Sequence, residues 1–150
     1  MSFRINDCFK RSLNGKALAS EDRDMRDIVA YLAYLSNGVP VGAKVQGQGV
    51  PALKPLTPDT SSGARIFAAT CSKCHGVNGE GSVAAPPLWG PRSYNIGAGM
   101  ARLRTAAAFI REVMPFDRPG SLTPQQAFDV AAYIGSRPPP GYKGKKLDWP

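Results

Sequence analysis

Apolar residues recur at helical spacing in four stretches of the chain. Met25, Ile28, Val29, Leu32 and Leu35 form one stripe, and Gly63, Phe67 and Cys71, four apart, form a second. Leu103, Ala107, Ile110 and Met114 form a third, and Val130, Tyr133 and Ile134 a fourth. Steps of three and four residues put side chains on one face of an α-helix, so the pattern predicts an all-α chain. Terminal signals bracket the stripes. Ser20 is placed to cap the first helix, with Glu21, Asp22 and Asp24 at the positive end of its dipole, and "SNG" stops it. Pro115 helps to end the third helix. Thr123, Pro124 and Gln126 predict an N-cap, a first helical residue and a capping box for the fourth. Residues 39–60 read as a Gly/Pro-rich linker that runs extended over the surface.

Composition narrows the class without naming a chemistry. The 150 residues are 43% hydrophobic and 20% charged, ordinary globular material, and 16 glycines with 14 prolines point to many loops. No window approaches the roughly 18 consecutive apolar residues of a membrane helix, so no span is expected. The start "MSFRINDCFK" has no apolar core behind its charges and is not expected to be a signal peptide. The net charge of +8 gathers only weakly, in "YKGKKL". Beyond solubility, it favours an anionic counterpart, either an acidic redox partner protein or a small anion. No basic run is interleaved with aromatics, so nucleic acid is not an expected partner.

The run "ATCSKCHGV" sets Cys71, Cys74 and His75 at a spacing with three readings: half of a zinc site, a redox dithiol, or covalent haem attachment. Zinc wants four ligands, and the chain offers only Cys8 and no second histidine beyond these three residues. A dithiol does not need the adjacent histidine. Haem accounts for all three residues, with two thiols added to the vinyl groups and the histidine as proximal iron ligand. The other axial position has two methionine candidates, Met114 at the end of a predicted helix and Met100 in "GAGM". Either could instead fill a core gap.

The helix carrying Cys71 and the helix after Thr123 could cross where Gly63 lacks a side chain. In this, residues 61–150 resemble class I cytochromes c, whose first and last helices cross through a glycine and a pair of aromatics. The resemblance implies that Met114, which precedes a proline, is the distal ligand. It also implies that Pro86 of "APPLWG" accepts the hydrogen bond of the proximal histidine, with Leu88 and Gly90 completing the segment. A ligating histidine needs its second nitrogen held in this way. Trp89 and Arg92 stand within reach of the haem propionates, although plain packing explains a tryptophan there equally well.

"RDIVAYLAYLSNGVP" and "FDVAAYIGSRPPP" match, so that Asp27, Tyr31 and Leu32 correspond to Asp129, Tyr133 and Ile134. Such similarity signals duplicated domains. Residues 1–38 then read as the C-terminal half of an incomplete first cytochrome c domain. Its haem motif is expected roughly thirty residues before Met1. A segment this short cannot bury its own apolar face and must lean on the second domain, on its missing half or on another chain.

With "RINDCFKRSLNG" and "PPLWGPRSYNIGAGMARLRTAAAFIREVMP", the chain resembles the dihaem thiosulfate dehydrogenases, periplasmic cytochromes that couple two thiosulfates into tetrathionate or run the reverse reaction. The resemblance implies that Cys8 is the thiolate ligand of a catalytic first haem and that Ser12, one turn on, lines the substrate pocket. It implies a relay role for the second haem c, held by Cys71, Cys74, His75 and Met114. Some members place a lysine before the distal methionine; here Val113 stands there, so no ligand switch is expected. A methionine ligand raises the haem potential and an anionic thiolate should lower it, so electrons would pass toward the His/Met haem. With one haem motif in 150 residues, the expected function is one-electron transfer as the relay part of such a protein. Thiosulfate turnover is expected only if the first haem half is supplied, and a stand-alone periplasmic carrier is the alternative.

Overall fold

The computed structural model describes residues 1–47 and 49–147, and every regular element among them is helical. Helix α1 (Ser2–Asp7) runs into a π-helical turn at Cys8–Ser12, and α2 spans Arg23–Leu35. Helix α3 (Thr60–Ile66) continues through a π-helical turn at Phe67–Cys71 into the single turn α4 (Ser72–His75). Helices α5 (Leu103–Val113) and α6 (Pro124–Gly135) follow, with short 3-10 turns at Gly99–Ala101 and Lys143–Leu147. Of the segments read from sequence, Gln48 in the linker and residues 148–150 lie outside the described residues.

The core forms where α6 packs on both α3 and α5. Phe67, Phe128 and Val130 are each only 1% exposed, and Ala107 and Ala127 are fully buried between them. The α3–α6 crossing is close because Gly63 has no side chain. A Cβ there would overlap the Asp129 carbonyl and lie 2.9 Å from the Cβ of Tyr133. Asp129 is itself buried, and its Oδ1 accepts the Asp59 N–H and the Gln125 side chain, both at 2.8 Å. The start of α3 is thereby fastened to the middle of α6. The predicted capping box on α6 is formed: the Gln126 N–H donates to Thr123 Oγ1 at 3.2 Å and the Thr123 N–H to Gln126 Oε1 at 2.8 Å.

Gly63, Phe67 and Cys71 do not lie on one uniform α-helix. Steps of four drift by about 40° each on a helix of 3.6 residues per turn, and the wider π-helical turn takes up that drift. Helix α2 also departs from expectation at its start. Asp22, in extended conformation, accepts the Asp24 N–H at 2.9 Å and caps the helix in place of Ser20. A carboxylate both accepts that bond and meets the helix dipole. The α2 stripe is buried only at its beginning: Met25 is 1% exposed, whereas Leu32 is 37% and Leu35 56%, and Tyr31 beside the stripe is 61%.

The N-terminal segment is tied to the rest of the chain through residues 10–14, where the Lys10 and Arg11 carbonyls accept from Asn95 and Asn14 donates to the Pro91 carbonyl. Asn6 exchanges two hydrogen bonds with the Leu18 backbone, closing the loop after the turn. Arg11 pairs with Asp7 at 3.3 Å and lies 4.7 Å from the Tyr142 ring. The linker is not wholly a surface strand, because Leu53 packs against the core and the Gln125 side chain donates to the Thr57 carbonyl at 2.9 Å.

Candidate haem site

The proximal side is built by α4 and the loop behind it. His75 is the last residue of α4, and Gly76 leaves the helix at φ +82°, a conformation that favours glycine. The loop is tied by the Gly81 N–H to the His75 carbonyl and by the Leu88 N–H to the Gly79 carbonyl, both at 2.8 Å. This brings the Pro86 carbonyl 2.8 Å from His75 Nδ1. A carbonyl can only accept, so Nδ1 carries the proton and Nε2 keeps its lone pair for a metal.

The two thiols differ. Cys71 is half-buried and Cys74 exposed, and neither forms a disulfide. Burial first, and then the neighbouring Cys74, pushes the Cys71 thiol up to about 11. Met114 leaves α5 in extended conformation with its N–H on the Ile110 carbonyl at 3.1 Å. It packs against the same buried cluster as Cys71, Leu88 and Trp89. Met100 instead lines a groove with Leu103, Ala131 and Gly135, where α5 and α6 meet. Between α4 and the loop after Met114, Lys73 Nζ reaches Asp117 at 2.6 Å, both side chains about half exposed. Lys73 holds the Asp117 carboxyl below its ordinary value by this hydrogen bond.

An aromatic cluster belongs to the same core as Cys71. Phe67 sits 5.2 Å from Trp89 and 5.3 Å from Tyr133, ring centre to ring centre. Trp89 packs against Phe67 and Tyr133, and Arg92 is exposed. Arg137, which the sequence reading passed over, lies 4.1 Å from the Tyr133 ring and 5.0 Å from Trp89, and donates to Tyr133 Oη at 3.0 Å. Its position four residues after Tyr133 was the available signal.

These residues fit a covalent haem: two unpaired thiols with two residues between them, an imidazole with its free nitrogen fixed, and a methionine on the same core. No group of three or more His, Cys, Asp or Glu gathers to hold a metal among the described residues. Cys8 and Ser12 stand apart from this set. Both are exposed, at the two ends of the N-terminal π-helical turn, and that turn is fastened to residues 91–97.

A family model described as cytochrome c oxidase, cbb3-type, subunit III matches residues 58–134. The chain belongs to this family of c-type cytochromes. It carries covalently bound haem c and is similar to thiosulfate dehydrogenases. It is 48% identical to a thiosulfate dehydrogenase of Allochromatium vinosum over 144 residues, 91% of this chain and 53% of that one. It is 46% identical to one of Psychrobacter arcticus over 154 residues, 98% of this chain and 47% of that one. The solved thiosulfate dehydrogenase TsdBA of Marichromatium purpuratum superposes with a TM-score of 0.82 at 42% identity, covering 91% of this chain and 32% of that one. The chain thus spans about half the length of the curated relatives it matches. No helix among the described residues is long and apolar enough to cross a membrane.

Proposed function

We propose that this cytochrome relays single electrons through a haem attached at Cys71 and Cys74 and ligated by His75 and Met114, within a thiosulfate dehydrogenase-type protein. The observation that carries the reading is the 2.8 Å contact of His75 Nδ1 with the Pro86 carbonyl. It orients the ring, fixes the tautomer and makes Nε2 a better ligand. When bound, the haem supplies a centre that gains and loses one electron. The chain's own residues hold that centre and tune it. Leu88 and Met114 join the buried apolar cluster, and Phe67, Trp89 and Tyr133 keep water from it. Arg137 adds a positive charge against the outer rings, which favours the reduced state.

In this reading Cys8 is the thiolate ligand of a catalytic first haem whose other parts lie outside these 150 residues, and Ser12 lines the thiosulfate pocket. The basic surface attracts thiosulfate or tetrathionate and an acidic redox partner. Covalent haem attachment supports a periplasmic location for the mature protein. A stand-alone carrier without substrate chemistry is the second reading, favoured by the single Cys-x-x-Cys-His motif.

The ligand assignment is tested in haem-loaded protein by the near-infrared sulfur-to-iron band of the ferric state. Met114→Ala should abolish it and Met100→Ala should keep it; the opposite pattern overturns the assignment. Reduction of ferricyanide driven by thiosulfate separates the roles. No turnover is expected from the chain with one haem, and appreciable turnover would refute the relay assignment.

A further inference from the structure

Asn95 is 1% exposed, and its hydrogen bonds converge on the turn that bears Cys8 and Ser12. Its Nδ2 donates to the Lys10 carbonyl at 2.6 Å and to Asn14 Oδ1 at 2.9 Å, and its backbone N–H donates to the Arg11 carbonyl at 3.1 Å. The Gly97 N–H donates to Asn95 Oδ1 at 3.0 Å, which settles which end of the amide faces the turn.

The backbone explains why a partner is required. The last carbonyls of a helix have no N–H of their own. Here the chain leaves the π-helical turn through Asn14 at φ +50°, and the Gly15 N–H returns to Phe9 rather than to Arg11. The Lys10 and Arg11 carbonyls are then taken by one distant residue. Asn14 is held in turn by the Pro91 carbonyl through its Nδ2 at 3.2 Å. Pro91 and Asn95 lie on the loop that continues from Pro86, the residue bonded to His75.

We propose that Asn95 is a positioning residue for Cys8: it caps the Cys8–Ser12 turn from across the chain and fixes it to the loop that orients the proximal histidine. This rests on the reading of Cys8 as a thiolate ligand. A ligand sulfur must be held at one place to meet its iron, and an exposed cysteine on an uncapped helix end would not be.

The test uses the haem-loaded chain, in which Cys71 and Cys74 are thioether-bonded and Cys8 is the free thiol. Asn95→Asp keeps the shape and the acceptor for Gly97 but loses both Nδ2 donors; Asn95→Ala loses all side-chain bonds; Asn14→Ala removes one bond from the other side. Amide hydrogen exchange over residues 8–15 is compared. A nitroxide on Cys8, relaxed by the haem iron, reports whether the sulfur keeps a single position. Asn95→Asp should speed exchange by about tenfold or more, as the loss of two hydrogen bonds implies, and broaden the nitroxide response. The near-infrared band should be unchanged. Exchange within about twofold of wild type overturns the proposal, as does an effect confined to Asn95→Ala, which would assign Asn95 to its own loop only. A wild-type nitroxide response already spread over many positions would instead reject the reading of Cys8 as a ligand, leaving the exchange result to stand separately.

Discussion

Gly63→Ala should destabilise the protein even though alanine is the better helix former. In a solvent-facing helix interior the replacement is worth about 1 kcal/mol in alanine's favour. At this crossing the new methyl overlaps the Asp129 carbonyl and comes 2.9 Å from Tyr133 Cβ. The first obstacle is backbone, so no rotamer change relieves it and α6 must move. Overpacking of this kind costs about 1–3 kcal/mol. Moving α6 also lengthens the two 2.8 Å bonds on Asp129, and a hydrogen bond to a charged group contributes about 1.5–3 kcal/mol. The net expectation is a loss of about 2–3 kcal/mol, or a fall in Tm of roughly 4–12 °C for a chain of 150 residues. The assay is thermal unfolding of the haem-loaded protein followed by helical circular dichroism. Gly135→Ala is the control, because a Cβ there meets nothing, and it should be neutral or slightly stabilising. A Gly63→Ala protein as stable as wild type would refute the close-crossing argument.

Three further outcomes are expected. Asp129→Ala leaves the Asp59 N–H without its acceptor and should cost about 2–3 kcal/mol in denaturant unfolding; a loss below about 0.5 kcal/mol would show the fastening to be incidental. In haem-free protein, iodoacetamide at neutral pH should modify Cys74 and Cys8 before Cys71, whose rate should keep rising toward pH of about 11; equal rates at neutral pH would contradict the burial of Cys71. Lys73 depresses the Asp117 carboxyl, so their pairing contributes fully above the ordinary value of 3.8 and is lost as pH falls through the lower folded value. Asp117→Asn should remove that part of the acid sensitivity, and an unchanged acid unfolding profile would deny it.

Much of the haem-bearing half was legible because its determinants are local. The capping box lies within four residues, the α5 stripe ends at Met114, and Pro86 follows His75 by one loop. The misreadings have physical causes. Ser20 and Asp22 are both good caps, and the choice depended on where the chain turns extended. The π-helical turns were invisible because their hydrogen bonding has no residue signature, although strict steps of four hint at one at Phe67–Cys71. Of the three supports expected for residues 1–38, the rest of this chain supplies hydrogen bonds to residues 10–14, whereas at the far end of α2 Tyr31 and Leu35 stay exposed. Asn95 carried no mark, since two of its partners are backbone carbonyls more than eighty residues away.

The attachment of both Asn14 and Leu53 to the same body has a topological consequence. The intervening residues, α2 among them, form an excursion that departs from and returns to one scaffold. A protease nick among its glycines would therefore leave two fragments still associated, with the cysteine turn retained on the larger piece by noncovalent contacts alone.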